Sequence, residues 1–276
     1  MAISIVSNIA SLSAQRSLNK TQAALETNMG RLATGLRINR AGDDSAGLAI
    51  SEKFRAQTRS MSQAERNGMD GISMLQVAEG GMNETANILA RMRELAVQSA
   101  NSTNSATDRD FLDQEFQELL SEIDRVSAVT QFNGVQLIDG TATDLDFQIG
   151  INTTSDDVIQ VLSADLDVTA ATLAVTGLDV QDRANSLTAI DAIDAAIDSV
   201  STARSTVGAA QNRMQVAVAN LGNMRENLSA AESRIRDVDV AEETAAMTRQ
   251  SILMQSGVAV LAQANQQPAM ALSLIG

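Results

Sequence analysis

The stretch IDAAIDSVSTARSTVGAAQNRMQVAVANLGNMRENLSAAESRI, residues 193–235, decides the architecture. Every seventh position is apolar (Ile193, Val200, Val207, Met214, Leu221, Leu228, Ile235), and Gly208 and Gly222 are its only helix breakers. A strict seven-residue repeat keeps one sticky edge on one side of a helix and favours a left-handed supercoil with partners of matching period. At about 1.5 Å per residue the edge runs for roughly 65 Å, far beyond a globular domain's ordinary helix of about 11 residues. A solvent-spanning helix of a globular enzyme is the bland alternative, but the unbroken length favours a helical bundle or rod. The spacing predicts a mainly α protein built as a long, coiled-coil-like helical rod whose other segments supply matching edges.

Working outward, the first segment repeats the pattern with Leu18, Leu25, Met29, Leu32 and Leu36. It breaks at residues 40–47 (RAGDDSAG), where two glycines flank an Asp pair suited to capping a following helix. The next edge restarts out of phase: Phe54, Met61, Gly68, Leu75, Met82, Leu89 and Ala96, with Ile72 and Ala86 between. It fades in polar residues 99–106, after which Thr107 or Asp108 is expected to cap a helix carrying Leu112, Phe116, Leu119, Ile123 and Val126. The Asn-Gly and Asp-Gly steps of residues 132–140 (FNGVQLIDG) mark turns about a short extended piece. Leu145, Phe147, Ile149 and Ile151 then alternate, and Val158, Ile159, Val161 and Leu162 follow across a polar loop, so a small β-hairpin region is expected at about 132–180. Ser186 or Thr188 is the expected cap of the long helix.

Beyond Ile235 that helix loses its phase. A new apolar set begins at Met247 and continues through Met254, Val258 and Leu261 to Leu272 and Ile275, while Pro268 is expected to kink or end the helix without a supporting neighbour. Each end of the chain thus carries its own edge, and paired antiparallel N- and C-terminal helices satisfy both.

Composition excludes much chemistry. There is no Cys, His, Trp or Tyr, which removes thiol nucleophiles, histidine bases, Ser-His-Asp triads and the usual zinc ligands. The net charge of -14 argues against nucleic acid and anionic lipid as partners, since both need clustered Lys and Arg. No apolar run approaches the roughly 18 residues of a membrane span, and residues 1–8 lack a basic region followed by an apolar block, so neither membrane insertion nor a cleaved signal peptide is expected. No cofactor is expected. The Asp237–Glu243 run (DVDVAEE) fails as a calcium loop because Glu242 and Thr248 stand where an EF-hand needs Gly and Glu. Asp43 and Asp44 are better caps than a catalytic pair, and residues 42–47 lack the Gly-Lys-Ser/Thr of a phosphate loop. The chain is not expected to be an enzyme.

Five long motifs resemble the bacterial flagellins: GLRINRAGDDSAGLAIS (35–51), LARMRELAVQSAN (89–101), EIDRVSAVTQFNGVQLIDG (122–140), SRIRDVDVAEE (233–243) and VLAQANQQPAMALSLIG (260–276). The large variable middle of many flagellins is missing. The resemblance implies a short flagellin with an inner terminal domain, residues 1–44 and 237–276, lining the core of a flagellar filament, and an outer domain, residues 45–236. It implies a helical homopolymer used for swimming, secreted through a type III export channel to an extracellular flagellum. An export chaperone, the filament cap and hook-filament junction proteins are the implied partners. Leu18, Leu25, Leu32, Leu36, Met247, Met254, Val258, Leu261 and Leu272 become the expected polymerisation seams. Arg91, Leu95 and Glu115 match the family positions for contact with Toll-like receptor 5 of a host; by default Arg91, Arg93 and Glu94 are a solvated helix face. Two rivals remain at this level, a hook-filament junction protein and a chemoreceptor-like helical signalling hairpin.

Overall fold

The structure, a computed structural model, describes residues 7–272, with side chains described as far as Gln266. Five helices dominate the described residues: α1 (Ile9–Thr34), α2 (Ser45–Ser99), α3 (Ala106–Val129), α4 (Arg183–Arg236) and α5 (Val240–Leu272). Four short strands lie between α3 and α4: β1 (Gln131–Phe132), β2 (Val135–Gln136), β3 (Leu145–Gln148) and β4 (Val158–Val161). The chain divides into two compact units, residues 1–56 with 227–276 and residues 57–226.

Local chemistry sets the helix ends. Asn8 Oδ1 accepts from the Ser11 N–H at 3.1 Å to open α1, and Gly35, at φ 71°, closes it by donating to the Arg31 carbonyl at 2.8 Å. Of the Asp pair, Asp44 caps α2 by accepting from the Gly47 N–H at 2.9 Å. Asp43 instead closes the preceding turn, accepting from the Arg40 N–H and then the Asn39 N–H, which hold its carboxyl below the usual range. The cap of α3 is Ser105 rather than Thr107 or Asp108; Asp108 is its partner in a capping box. At α4 the cap is Asp182, which accepts from the Asn185 N–H at 2.8 Å, not Ser186 or Thr188. Asp239 opens α5 by accepting from the Ala241 N–H at 2.9 Å, so this Asp is a helix cap. The backbone of α5 stays helical through Pro268.

In the unit of residues 57–226, the edges of α2 and α4 form the core. Leu75, Met82, Leu89 and Ala96 of α2 are buried, as are Ile193, Val200, Val207 and Met214 of α4 and Phe116 and Ile123 of α3. A seven-residue repeat therefore becomes a continuous buried line. The extended segments pack on it where α2 is thin. A Cβ on Gly71 would lie 2.7 Å from Phe147, and one on Gly68 2.6 Å from Val218, so these mid-helix glycines make room for β3 and α4.

The β region holds the expected hairpin, β3 with β4, and a second short antiparallel pair, β1 with β2. β1 and β2 turn at Asn133 (φ 49°) and Gly134 (φ 81°), and β3 and β4 pair Leu145 with Val161 and Phe147 with Ile159. Residues 163–180 carry no strand, yet Leu166, Val168, Leu173 and Val175 are buried. Side chains hold this segment: Ser99 Oγ donates to the Val180 carbonyl at 2.5 Å, and buried Asp113 accepts from the Val180 N–H at 3.0 Å. Backbone groups that no strand partner satisfies are thus paired by side chains.

Candidate self-assembly surface

Helices α1 and α5 pair antiparallel. At one end Asn8 Nδ2 donates to the Ala264 carbonyl at 2.8 Å and Ser11 Oγ to Asn265 Oδ1 at 2.7 Å; at the other Arg31 lies 3.8 Å from Glu243. Leu18, Leu25 and Leu32 of α1 and Met247, Met254 and Leu261 of α5 are half-buried along the pair. Gly257 lets the helices approach, since a Cβ there would stand 2.9 Å from Leu18 Cδ1. Gly257 takes the covered position and Val258 is 53% exposed, so Val258 lies off the intramolecular seam. Leu36 lies beyond the end of α1, in an antiparallel bridge to Asp237. The side chain of Leu272 lies outside the described residues.

No residue of α1 is fully buried. Two helices alone cannot cover both apolar faces, and the remainder points outward: Leu12, Met29, Ile252, Leu253, Val258 and Val260 are each about half exposed or more. A groove of about 530 Å³ opens along the pair, lined by Ala14, Ser17 and Leu18 of α1 and Leu253, Gly257 and Val260 of α5. The outward residues of α5 lie off the seven-residue stripe; their signal is that no charged residue follows Arg249, so this face carries no charge that burial would strand.

The segments joining α1 to α2 and α4 to α5 clamp each other. The Arg37 N–H donates to the Arg236 carbonyl at 2.7 Å and the Val238 N–H to the Gly35 carbonyl at 3.1 Å. Glu52 receives Arg236 at 2.8 Å and Arg55 at 3.0 Å, and Arg55 also lies 3.8 Å from Glu232. These hydrogen bonds, from Arg236 first, hold the Glu52 carboxyl below its usual range.

In the other unit, Arg91 donates to Glu115 from Nη2 at 2.8 Å and Nε at 3.0 Å, and to Glu94 from Nη1 at 2.9 Å. Arg93 grips Asp194 at 2.6 Å. Both pairs are solvated, and the arginines are held firmly protonated by their partners. Leu95 is 1% exposed and belongs to the core. The structure thus joins Arg91 to Glu115 but offers no surface at Leu95, because its position in the α2 repeat turns it inward.

Among the described residues no group of acidic side chains could hold a metal ion, and no helix is long and apolar enough to cross a membrane. What the geometry offers is apolar surface along helices.

Comparison with known proteins agrees. Residues 5–143 match the bacterial flagellin N-terminal helical region and residues 190–275 the bacterial flagellin C-terminal helical region. A flagellin of Halalkalibacterium halodurans is 49% identical over 272 residues, covering 97% of this chain and 98% of the relative. A flagellar filament 33 kDa core protein of Treponema phagedenis is 42% identical over 97% of this chain and 98% of its own length. Among solved structures, the crystal structure of Bacillus cereus flagellin superposes with a TM-score of 0.51 at 35% identity, covering 60% of this chain and 94% of the other. With both helical regions matched and near-complete mutual coverage, the chain belongs to the bacterial flagellins and is a structural, non-enzymatic subunit that self-polymerises into the flagellar filament.

Proposed function

We propose that copies of this chain join chiefly through the α1–α5 pair, with residues 1–44 and 237–276 as the inner, core-lining domain and residues 45–236 as the outer one. The observation that carries this reading is the uncovered apolar surface of the pair, from Leu12 and Met29 on α1 to Ile252, Leu253, Val258 and Val260 on α5. Burying the exposed half of each such side chain stabilises an assembly by about 1 kcal/mol, a gain that recurs in every subunit. Head-to-tail contacts whose rotation does not close give a helical tube. The seam residues Leu18, Leu25, Leu32, Met247, Met254 and Leu261 hold the pair in the form that presents those outward groups, while Val258 acts from the outer side. Leu36 acts through its bridge to Asp237.

The chain is secreted through a type III channel in this reading, its C-terminal segment held beforehand by an export chaperone and its filament completed by a cap and by hook-filament junction proteins. Toll-like receptor 5 is a further proposed partner of the free subunit. Arg91 and Glu115, with side chains 49% and 46% exposed, supply its polar contacts, and Leu95 supports them from beneath.

Elongation of filament seeds by purified subunits tests the central claim. Leu261→Asp places an unpaired charge in the seam that holds the pair in its assembly-competent form and abolishes elongation, while Ser102→Asp, in an exposed loop, does not. Equal elongation by both variants removes the α1–α5 pair from the assembly surface.

A further inference from the structure

The charges of this chain are chosen from a narrow set. Of its twenty basic residues only Lys20 and Lys53 are lysines; the rest are arginines, and His, Cys and Tyr are absent. By type, carboxylates ordinarily titrate near pH 4, lysine near 10.4 and arginine higher still, so between about pH 6 and 10 the composition offers few groups that gain or lose a proton.

The structure gives that composition a consequence. All nine ion pairs among the described residues use arginine: Arg31–Glu243, Arg55 with Glu52 and Glu232, Arg236–Glu52, Arg91 with Glu94 and Glu115, Arg93–Asp194, Arg125–Glu122 and Arg225–Glu65. They join α1 to α5, and α2 to α3 and to α4, so they are the pairs that cross between helices as well as those within one. Lys20 and Lys53 are exposed and belong to none of them. A group that titrates alike in the folded and unfolded chain contributes no pH dependence to stability. Deprotonating either lysine breaks none of the nine ion pairs.

We infer that this chain is built to keep its fold and its ion pairs unchanged from neutral into strongly alkaline surroundings, to about pH 11. The net charge of -14 then grows by no more than the two lysines and the terminal amine, to about -17, so repulsion between copies rises only modestly as the medium becomes alkaline. Lysine in the same ion pairs would fail there: at pH 11 about four-fifths of exposed ammonium groups are neutral, and each stranded carboxylate adds an uncompensated negative charge.

Thermal melting of the full-length soluble chain at pH 8 and pH 11 tests this, independently of whether it polymerises as proposed above. The wild type should keep its melting temperature within a few degrees. A variant carrying Arg55→Lys, Arg93→Lys, Arg225→Lys and Arg236→Lys should lose clearly more between pH 8 and pH 11, each protein being referred to its own value at pH 8. A wild type that falls as far as the variant, or a variant that holds as well as the wild type, overturns the inference. Should the variant not fold, potentiometric titration of the wild type decides. Folded and urea-unfolded chains should release the same number of protons between pH 6 and pH 11, at most those of the two lysines and the terminal amine; a larger or unequal release overturns it.

Discussion

A Cβ on Gly81 would stand 2.6 Å from Thr130 Oγ1 and 2.8 Å from Ile138 Cδ1, whereas one on the neighbouring Gly80 would meet nothing within 4 Å. Thr130 is pinned, because its hydroxyl donates to the Val126 carbonyl at 2.7 Å. Alanine favours a helix over glycine by about 1 kcal/mol, while overpacking costs about 1–3 kcal/mol. Gly80→Ala should therefore raise the melting temperature and Gly81→Ala lower it, as read by circular dichroism. Equal shifts for the two would mean that the Gly81 contact is not tight in solution.

The Ser105–Asp108 capping box predicts a local loss. Ser105→Ala should destabilise the unit of residues 57–226 by about 1 kcal/mol, and Ser105→Asp, which retains an acceptor at the cap, should cost less. Urea unfolding monitored by helicity measures both. Indistinguishable midpoints for wild type and Ser105→Ala would remove the cap from the stability of α3.

Acid should unfold the chain where alkali does not. Hydrogen bonds from Arg236 to Glu52, from Ser105 to Asp108 and from Arg93 to Asp194 lower these carboxyl pKa values in the folded state. A depressed folded pKa contributes stability that is present above the unfolded value, 4.5 for Glu and 3.8 for Asp, and is lost as pH falls through the folded value. Melting temperature should hold from pH 8 down to about pH 5 and drop below about pH 4. Asp194→Asn should shrink the acid-dependent part; a drop beginning near pH 7 would point to a different titrating group.

Limited proteolysis of the soluble chain should cut α1 and α5 before α3. Regions with few buried apolar contacts open at low free-energy cost, and α1 has no buried residue, whereas α3 buries Phe116 and Ile123. Mass spectrometry of early fragments gives the order. First cuts within residues 106–129 would contradict it.

The long helices were legible in the sequence because a seven-residue repeat has one geometric solution. Leu75, Met82 and Leu89 on α2, and Val200, Val207 and Met214 on α4, fall on one line of a helix whatever packs against them, and all are buried. The break at Asp43–Asp44 was legible for the same reason, since a helix cap is a property of a few consecutive residues, whereas the helix end at Gly35, one residue before the seam position Leu36, was not read.

What required tertiary structure is whatever depends on a neighbour distant in the chain. Val258 and Gly257 are adjacent on α5, and only the approach of Leu18 made Gly257 the covered one. Ser105 and Asp182 became caps where other residues were equally eligible, because the folded chain fixed which turn came first. The segment 163–180 has no periodicity to read, and it is ordered by Ser99, Asp113 and Gln117 reaching across from α2 and α3. Leu36 and Asp237 give no local sign that they pair. Periodicity and caps are short-range and act through each residue's own backbone, so sequence alone determined the helices; register between helices and the satisfaction of irregular backbone are settled by distances across the fold, which no single stretch contains.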